Sequence, residues 1–235
     1  MPFKDGDFLE VDYTIWDAAD NSVISTTDEN TAKSSNIYDE HARYKPVLIV
    51  LGKPENIKGL DRMLRDMNIG EEKTATFKPS EAFGERDESL VRVVPMANFK
   101  ANNIKPYPGM PIDIEDMHAV VKSVSAGRVV VDANPPLAGH ELTYKVKIIK
   151  QLVSNDEKIK AITSEYGVEP SSINDLGNSI KISYNSEVSK NNAYFSGKVS
   201  AISYAFALMP EIEKIVVEEE FSNPNKKEAK EEKAK

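Results

Sequence analysis

Residues 46–84 constrain the fold of this chain more than any other segment, because two strand-like runs flank a short amphipathic helix there. The first run is Val47 to Leu51 and the second is Lys73 to Lys78. Between them, four apolar residues recur at intervals of three, four and three, which places them on one face of a helix. These residues are Ile57, Leu60, Leu64 and Met67. The pattern predicts a strand–helix–strand unit.

The ends of this helix are also marked in the sequence. Asn56 stands where an N-cap residue is expected, and Gly70 is well placed to end the unit. Periodicity alone favours a generic strand–helix–strand unit of unspecified function. The identity and order of the residues carry the functional information.

The composition limits the class of protein. The chain has 235 residues, which is enough for one to three domains with a sizeable core. Its net charge of -8 and pI of about 5.1 argue against a general binder of nucleic acid or anionic membranes, because phosphate binding needs basic patches. The absence of cysteine excludes disulfides, thiolate nucleophiles and cysteine-based zinc sites.

The sequence shows neither a signal or membrane-spanning segment nor a cluster of histidines. The first residues contain no apolar signal region and no apolar run approaches ~18 residues, so we expect a soluble cytoplasmic protein. The three histidines, His41, His118 and His140, are scattered and are expected to be surface residues. We therefore predict no metal and no other cofactor.

The chain divides into three regions and a tail. Residues 1–86 and 134–153 are expected to form one domain, interrupted by an insert at 87–133. Residues 155–221 form a third region, whose sequence pattern predicts a compact α-β-α-β unit. Residues 222–235 are charged and lack apolar periodicity, which predicts a disordered tail.

The insert is expected to carry its own small β-sheet. Four strand-like runs surround a possible short helix near Met96 to Lys100. The runs are Leu90 to Pro95, Pro111 to Ile114, His118 to Val124 and Arg128 to Val131. Two turns join the last three runs: Glu115-Asp116, and Ser125-Ala126-Gly127 with glycine where a positive φ is expected.

The third region has two helix signals and two strand signals. Asn155 is predicted to cap a helix that runs to about Tyr166 and ends at Gly167. A strand at Ser179 to Tyr184 precedes a helix over Asn192 to Met209. The last strand is centred on residues 215–217.

Several separated motifs appear in an order that resembles the FKBP-type peptidyl-prolyl isomerases. The motifs are Val11-Asp12-Tyr13-Thr14, Leu51-Gly52, Ile57, Gly59-Leu60, Gly70-Glu71, Pro79, Ala82-Phe83-Gly84 and Leu142-Thr143-Tyr144-Lys145-Val146. Each motif alone would be weak, but their order is specific. The resemblance covers about residues 1 to 153. It implies an α+β fold, with an antiparallel half-barrel sheet wrapped around a short helix.

The resemblance also implies the reaction and its site. Rotation about an X-Pro amide breaks no bond, so it needs an apolar pocket rather than a nucleophile or a metal. Aromatic walls would come from Tyr13, Phe83 and Tyr144, aliphatic walls from Ile24, Val47 and Ile57, and the floor from Leu60, where many members have tryptophan. The backbone N–H of Ile57 would donate to a substrate carbonyl. Ordinary core packing is the alternative for each of these side chains.

Two departures from the family pattern affect the pocket. The Phe-Asp pair of many members reads Ile24-Ser25 here, so a pocket carboxylate is missing. Phe83 replaces the usual tyrosine, which removes a hydroxyl. A lost neutral hydrogen bond is worth about 0.5–1.5 kcal/mol, so we expect the activity to survive.

In SlyD-like members of this family, an insert-in-flap domain binds unfolded chains, and residues 87–133 occupy that position. Its apolar residues are the predicted client-binding set, with the core of the small sheet as the alternative. The set is Val93, Val94, Pro95, Met96, Phe99, Met110 and Met117. The expected partners are unfolded or proline-containing polypeptides.

Residues 155–221 resemble the extra C-terminal domain of long archaeal FKBPs by position. Their second helix is apolar on more than one face, which predicts either a well-covered core helix or a contact with a second copy of the chain. We expect no nucleic-acid or membrane partner. The prediction is thus a peptidyl-prolyl isomerase and folding chaperone. The alternatives are a non-catalytic chaperone with a degenerate pocket, favoured by Ser25 and Phe83, and an assembly factor that works through its C-terminal domain.

Overall fold

The computed structural model describes residues 3–114, 117–185 and 193–221. The strands are β1 (Phe8–Asp17), β2 (Val23–Thr26), β3 (Val47–Val50), β4 (Glu72–Phe77), β5 (Val91–Pro95), β6 (Pro111–Ile114), β7 (Met117–Ser125), β8 (Arg128–Asp132), β9 (Leu142–Leu152), β10 (Ser172–Asp175), β11 (Ser179–Tyr184) and β12 (Lys214–Glu219). The helices are α1 (Glu29–Ser34), α2 (Lys58–Arg65), α3 (Met96–Ala101), α4 (Asn155–Glu165) and α5 (Tyr194–Leu208). This mixture confirms the predicted α+β class.

Five strands form the antiparallel half-barrel that the sequence predicted. Their order is β2-β1-β9-β4, and β3 pairs with the other part of β1. Successive side chains of a strand point to opposite faces, so Val11 and Ile15 are buried in the core while Asp12 and Thr14 face the outer side. Ile15 lies opposite Tyr144 in the pairing of β1 with β9.

Helix α2 packs against the half-barrel with the predicted apolar face. Leu64 and Met67 are fully buried, while Ile57 and Leu60 are half-buried against the same cluster. The close approach requires a glycine at 59, because a Cβ atom there would lie 2.5 Å from the Phe77 ring.

The prediction that Asn56 caps α2 is wrong. Ile57 occupies the N-cap position and offers no side-chain hydrogen bond. The Asn56 amide instead donates to the Val50 carbonyl (2.7 Å) and to Asp61 Oδ1 (2.9 Å). The amide is turned back toward the end of β3, so it fixes the loop between β3 and α2 rather than the helix terminus.

The insert forms its own antiparallel sheet, in the order β5-β8-β7-β6. Its small apolar core consists of Phe99, Ala119, Val121, Val129 and Val131. The predicted tight turn between β7 and β8 is confirmed, because both Ala126 (φ 42°) and Gly127 (φ 79°) adopt the positive φ values of a two-residue hairpin turn. The predicted turn at 115–116 lies outside the described residues.

The third region contains one strand more than predicted. β10 pairs antiparallel with β11, and β11 pairs in parallel with β12. Strand β10 was missed because its only apolar residue is Ile173. The predicted helix start at Asn192 and the predicted tail at 222–235 lie outside the described residues.

The prediction that Asn155 caps α4 is also wrong by one residue. Ser154 is the N-cap, and its Oγ accepts from the N–H of Glu157 (3.2 Å). The Glu157 carboxylate accepts in turn from the N–H of Ser154 (3.4 Å). Such a reciprocal capping box satisfies two backbone donors at once, which a cap at Asn155 would not achieve.

The third region shares an apolar core with the half-barrel. Phe8, Val50 and Leu152 of the half-barrel belong to one buried cluster with residues of α4, α5 and β11. Side chains of β3 alternate between the two cores, with Ile49 packed on one and Val50 buried in the other. The boundaries given above for the three domains remain predictions.

Candidate active site

The candidate pocket lies where the inner face of the half-barrel meets α2. Four predicted site residues, Tyr13, Ile24, Ile57 and Leu60, are half-buried and pack against the buried cluster that contains Tyr144. Half-buried apolar side chains on a packed core offer an apolar surface to a ligand while their other side is held rigid. The structure therefore places five of the seven predicted residues in or on one apolar cluster.

Tyr144 lies beneath this surface. Its side chain is 1% exposed, and its ring centroid is 5.4 Å from that of Phe77. Within the described residues its hydroxyl has no hydrogen-bond partner. Burial raises the pKa of the Tyr144 hydroxyl, and the neighbouring Tyr13 raises it further. The hydroxyl therefore stays neutral throughout the physiological pH range.

Tyr13 has a neutral hydrogen-bond partner. Its hydroxyl lies 3.1 Å from Ser25 Oγ, at the position where the family pattern has a carboxylate. The pairing of β1 with β2 sets Ser25 beside this hydroxyl, because Ser25 lies opposite Ile15 in the register. The serine hydroxyl thus takes the place of the missing carboxylate without adding charge to an apolar site.

Ile57 is held at the start of α2 by its neighbours. Its carbonyl accepts from the N–H of Asp61 (2.9 Å), and Asp61 Oδ1 accepts from the N–H of Gly52 (2.8 Å). In the part of the chain that the structure describes, the N–H of Ile57 donates to no acceptor. Free N–H groups are normal at a helix N-terminus, and this one can donate to a bound carbonyl.

The last two predicted site residues lie apart from this cluster. Phe83 follows a 3-10 turn at Pro79–Glu81 and is 40% exposed, so it lies at the surface rather than in the core. An ion pair between Arg62 and Glu81 (2.7 Å) joins this turn to α2. Val47 is half-buried on β3 opposite Val11, and it is not among the side chains that pack on the Tyr144 cluster.

Ala82 and Leu137 are among the side chains on the same cluster that the predicted site omitted. Ala82 precedes Phe83 in a motif already singled out, so its position could have been predicted. Leu137 comes from the segment that returns from the insert, 80 residues after Ile57 in the chain. No local pattern in the sequence marked Leu137 as a pocket residue.

A cavity lies beside β1 and β9, and the predicted site residue Tyr13 is among the residues that line it. It has a volume of about 530 Å³ and is lined mainly by polar and charged side chains, including Asp12, Thr14, Lys145 and Lys147. This lining is unsuited to an apolar ring. We therefore assign the pocket by its side-chain chemistry rather than by cavity volume.

The insert carries an apolar groove of about 350 Å³ between α3 and β6. Of the predicted client-binding residues, Val94, Phe99 and Met110 line this groove. Val93 is 60% exposed, Pro95 is also exposed, and Met96 and Met117 are half-buried. The lining residues that the sequence prediction omitted include Ile104, Ile112 and Ile114.

Each of the three histidines lies beside a nearby carboxylate. His140 Nδ1 lies 2.6 Å from Asp17 Oδ2, His118 contacts Asp113, and His41 lies 3.5 Å from Glu40. Among residues 3–114, 117–185 and 193–221, no group of three His, Cys, Asp or Glu side chains could hold a metal ion.

One short helix packs on the antiparallel half-barrel, and half-buried apolar side chains of both lie on one buried cluster at their junction. Comparison with known sequences gives the family. Residues 2–101 match the family described as FKBP-type peptidyl-prolyl cis-trans isomerase, and residues 92–137 match the family described as FKBP26, IF domain.

Individual relatives agree with these matches. The short-type peptidyl-prolyl cis-trans isomerase of Methanocaldococcus jannaschii is 35% identical over 145 residues, which are 62% of this chain and 91% of the relative. The FKBP-type isomerase SlyD of Helicobacter pylori is 27% identical over 139 residues, or 57% of this chain and 74% of the relative. The FKBP-type 16 kDa peptidyl-prolyl cis-trans isomerase of Escherichia coli is 25% identical over 112 residues, which are 45% of this chain and 74% of the relative.

This chain belongs to the FKBP-type peptidyl-prolyl cis-trans isomerase family, and its enzyme class is that of a peptidyl-prolyl isomerase. Among the described helices, none is both long and apolar enough to cross a membrane.

Proposed function

We propose that the protein isomerises X-Pro bonds in unfolded or partly folded polypeptides and holds these clients on its insert. The observation that carries the proposal is the presence of two apolar surfaces in one chain. One is the neutral pocket around Tyr13, Ile57 and Leu60, and the other is the groove between α3 and β6. The first suits a proline ring and the second suits an extended apolar segment.

The pocket supports catalysis by differential solvation. The barrier of roughly 18–20 kcal/mol arises from lost amide resonance, and the planar amide is more dipolar than the twisted one. A dry apolar pocket therefore favours the twisted amide relative to water. In the proposal, Tyr13, Ile24, Leu60 and Phe83 hold the proline ring above Tyr144. The N–H of Ile57 orients a substrate carbonyl without needing to reorganise.

The insert supports the holding function through side chains that its small sheet leaves partly uncovered. Val93 and Tyr107 are each 60% exposed, and Ile104 and Val120 are each 37% exposed. Met110 lines the groove, and Met96 packs on the core of the insert. Methionine side chains can repack around different apolar sequences. A client held there raises the effective concentration of its prolines at the pocket.

The experiment compares the full chain with a variant in which residues 87–133 are replaced by a short loop. Both are assayed on a short proline peptide and on the proline-limited refolding of a protein. We expect the variant to retain peptide turnover but to lose most of its activity on the protein and its suppression of aggregation. Equal losses on both substrates would mean that the insert only stabilises the pocket. No acceleration of either substrate by the full chain would favour the non-catalytic chaperone.

We also propose that a second copy of the chain covers the exposed side of α5. Phe195 is 59% exposed, Val199 is 61% exposed and Phe206 is 39% exposed, and these residues recur at helical spacing. Sedimentation of the full chain and of Phe195→Ser tests this proposal. A monomer at micromolar concentration for the unsubstituted chain would reject it. The cytoplasmic location and the lack of nucleic-acid and membrane partners remain predictions.

A further inference from the structure

Two connecting segments, residues 84–90 and 133–139, join the insert to the half-barrel, and they are bonded to each other along their length. The N–H of Gly139 donates to the Gly84 carbonyl (2.9 Å) at the half-barrel end. The N–H of Ala133 donates to the Leu90 carbonyl (3.0 Å) at the insert end. The connection is therefore a paired ribbon rather than two independent strands of chain.

Asn134 and Asp87 form a third crossing between these two bonds. The N–H of Asp87 donates to Asn134 Oδ1 (2.8 Å), and Asn134 Nδ2 donates to the Asp87 carbonyl (2.9 Å). The side-chain amide of Asn134 thus satisfies both backbone groups of Asp87, as a paired strand would do. Two bonds in opposite directions restrict twisting of one segment against the other.

A further contact joins Arg86 of the first segment to Asp132, the last residue of β8. Asp132 is 4% exposed, and its carboxylate contacts the Arg86 guanidinium. The same carboxylate accepts from the N–H (3.0 Å) and Nδ2 (2.8 Å) of Asn134, and Lys122 Nζ lies 3.6 Å away. A buried carboxylate is tolerated only with such partners, so its bond to Arg86 is costly to break.

We propose that Arg86, Asp87, Asp132 and Asn134 form a linker clamp that fixes the orientation of the insert groove relative to the isomerase pocket. Arg86 lies three residues after Phe83, the proposed rim residue, and Asn134 lies three residues before Leu137, which packs on the Tyr144 cluster. The clamp is therefore close in sequence to both. Its members do not touch the substrate. They are positioning residues for catalysis on held clients, and this role rests on the proposed function above.

A fixed orientation has a consequence for substrate choice. When two binding sites are held at a set separation, the effective concentration is greatest for a tether whose length matches the span. Clients should therefore be preferred by the number of residues between the apolar segment in the groove and the proline in the pocket. A freely hinged insert would accept many spacings about equally.

The first test measures orientation without using activity. The chain has no cysteine, so Lys73→Cys and Ser125→Cys, both at exposed positions, can carry spin labels on the half-barrel and on the insert. We expect one narrow distance distribution in the parent and a broad one after Asp132→Asn or Arg86→Met. Arg128→Met, an exposed arginine of the insert outside the clamp, is the matched control and should stay narrow. The clamp would be rejected if the distance distribution were broad in the doubly labelled protein without further substitution. It would also be rejected if the distributions of the clamp variants were as narrow as that of the control.

The second test uses peptides with an apolar anchor, a Gly-Ser spacer of increasing length and one proline. The unsubstituted protein should show a maximum of kcat/KM at one spacer length. Arg86→Met should lower kcat/KM at that length by roughly tenfold, because linking two binding sites can raise the overall affinity by about 10²–10⁴-fold. Turnover of an unanchored proline peptide should not change, and Arg86→Lys should restore part of the optimum. An optimum that survives in Arg86→Met would overturn the positioning role. A parent that gains nothing from the anchor would overturn the proposed holding function, while the distance measurement would still decide whether the clamp exists.

Discussion

At the level of single residues, the predicted side chains of the candidate pocket are all neutral. The Tyr13 hydroxyl pairs with Ser25, the Tyr144 hydroxyl is kept neutral by burial, and the remaining predicted walls are aliphatic or phenyl groups. Because twisting an amide reduces its dipole, charge near the pocket would favour the planar ground state. A neutral site is therefore consistent with rotation about an X-Pro bond.

Replacing Phe83 by alanine tests the rim of the pocket. An aromatic contact is worth about 0.5–1.5 kcal/mol, so kcat/KM on a proline peptide should fall by roughly two- to tenfold. Because Phe83 is 40% exposed, the free energy of unfolding should change by about 0.5 kcal/mol or less. Val153→Ala, at a residue that is 72% exposed and away from the pocket, is the control. Equal activity of Phe83→Ala and the parent would place the rim elsewhere.

The ionisation of Asp132 makes the folding stability of the protein depend on pH. Burial opposes its ionisation, but hydrogen bonds from Asn134 and Arg86 outweigh burial and lower its pKa to about 2. An aspartate in an unfolded chain has a pKa of about 3.9. At a pH between about 2 and about 3.9, the unfolded state therefore binds a proton at Asp132 that the folded state does not bind. The stabilisation is therefore complete above pH ~4 and is lost as the pH falls toward about 2.

Asp132→Asn lacks this titration. The difference in unfolding free energy between the parent and Asp132→Asn should be greatest above pH ~4 and should shrink as the pH falls to about 2. Denaturant unfolding followed at a series of pH values measures it. Asp66→Asn, at an exposed carboxylate beyond α2, serves as the control. A difference that is independent of pH would mean that Asp132 is not held ionised by the clamp.

At the level of elements, the contact between α2 and β4 depends on the absence of one side chain. In a helix, alanine at position 59 would be favoured over glycine by about 0.5–1 kcal/mol. However, its Cβ would lie 2.5 Å from the Phe77 ring. Helix propensity and packing therefore act in opposite directions at this residue.

We expect packing to dominate, so that Gly59→Ala lowers the free energy of unfolding by roughly 1–3 kcal/mol. Thermal or denaturant unfolding measures the change. The double variant Gly59→Ala, Phe77→Leu should recover part of the loss relative to Phe77→Leu alone, because the smaller side chain makes room. If Gly59→Ala is more stable than the parent, the close approach of α2 to β4 is not a constraint.

At the level of the whole molecule, the half-barrel and the C-terminal region are not independent. Phe8, Val50 and Leu152 are each less than 5% exposed because α4 and α5 cover them. Lys53 Nζ also donates to the Ala207 carbonyl (3.3 Å), which ties the loop before Ile57 to the end of α5.

Removal of residues 155–235 should therefore destabilise the half-barrel itself. Each large apolar side chain returned to water costs about 1.5–3 kcal/mol, so a loss of several kcal/mol is expected. Removal of 222–235 alone, which the sequence predicts to be solvated, is the control. Unchanged stability after the larger deletion would contradict the shared core. A test of the C-terminal region as a working surface should thus use point substitutions on α5 rather than deletion.

Chelation should leave the activity of the whole protein unaltered. Rotation about an amide needs no Lewis acid, and the chain contains no cysteine and only three histidines, far apart in sequence. Turnover of a proline peptide before and after EDTA treatment measures this. Loss of activity that one added metal restores would overturn the expectation.

The sequence alone determined the features that are local in the chain. The apolar spacing from Ile57 to Met67 predicted the buried face of α2, and the motif order predicted the family. It failed at caps, as with Asn56 and Asn155, because the residue that caps depends on where the backbone turns within one or two positions. It also missed β10, whose polar residues carry little apolar signal.

Only the tertiary structure decided features that join distant parts of the chain. The addition of Leu137 to the pocket cluster, the bonds between Asp87 and Asn134, and the shared core around Phe8 each connect residues far apart in sequence. Such contacts leave little local pattern, because a buried leucine looks the same in sequence whichever core it enters. Periodicity reports which side of an element is buried, while the packing of sheets and helices decides against what it is buried.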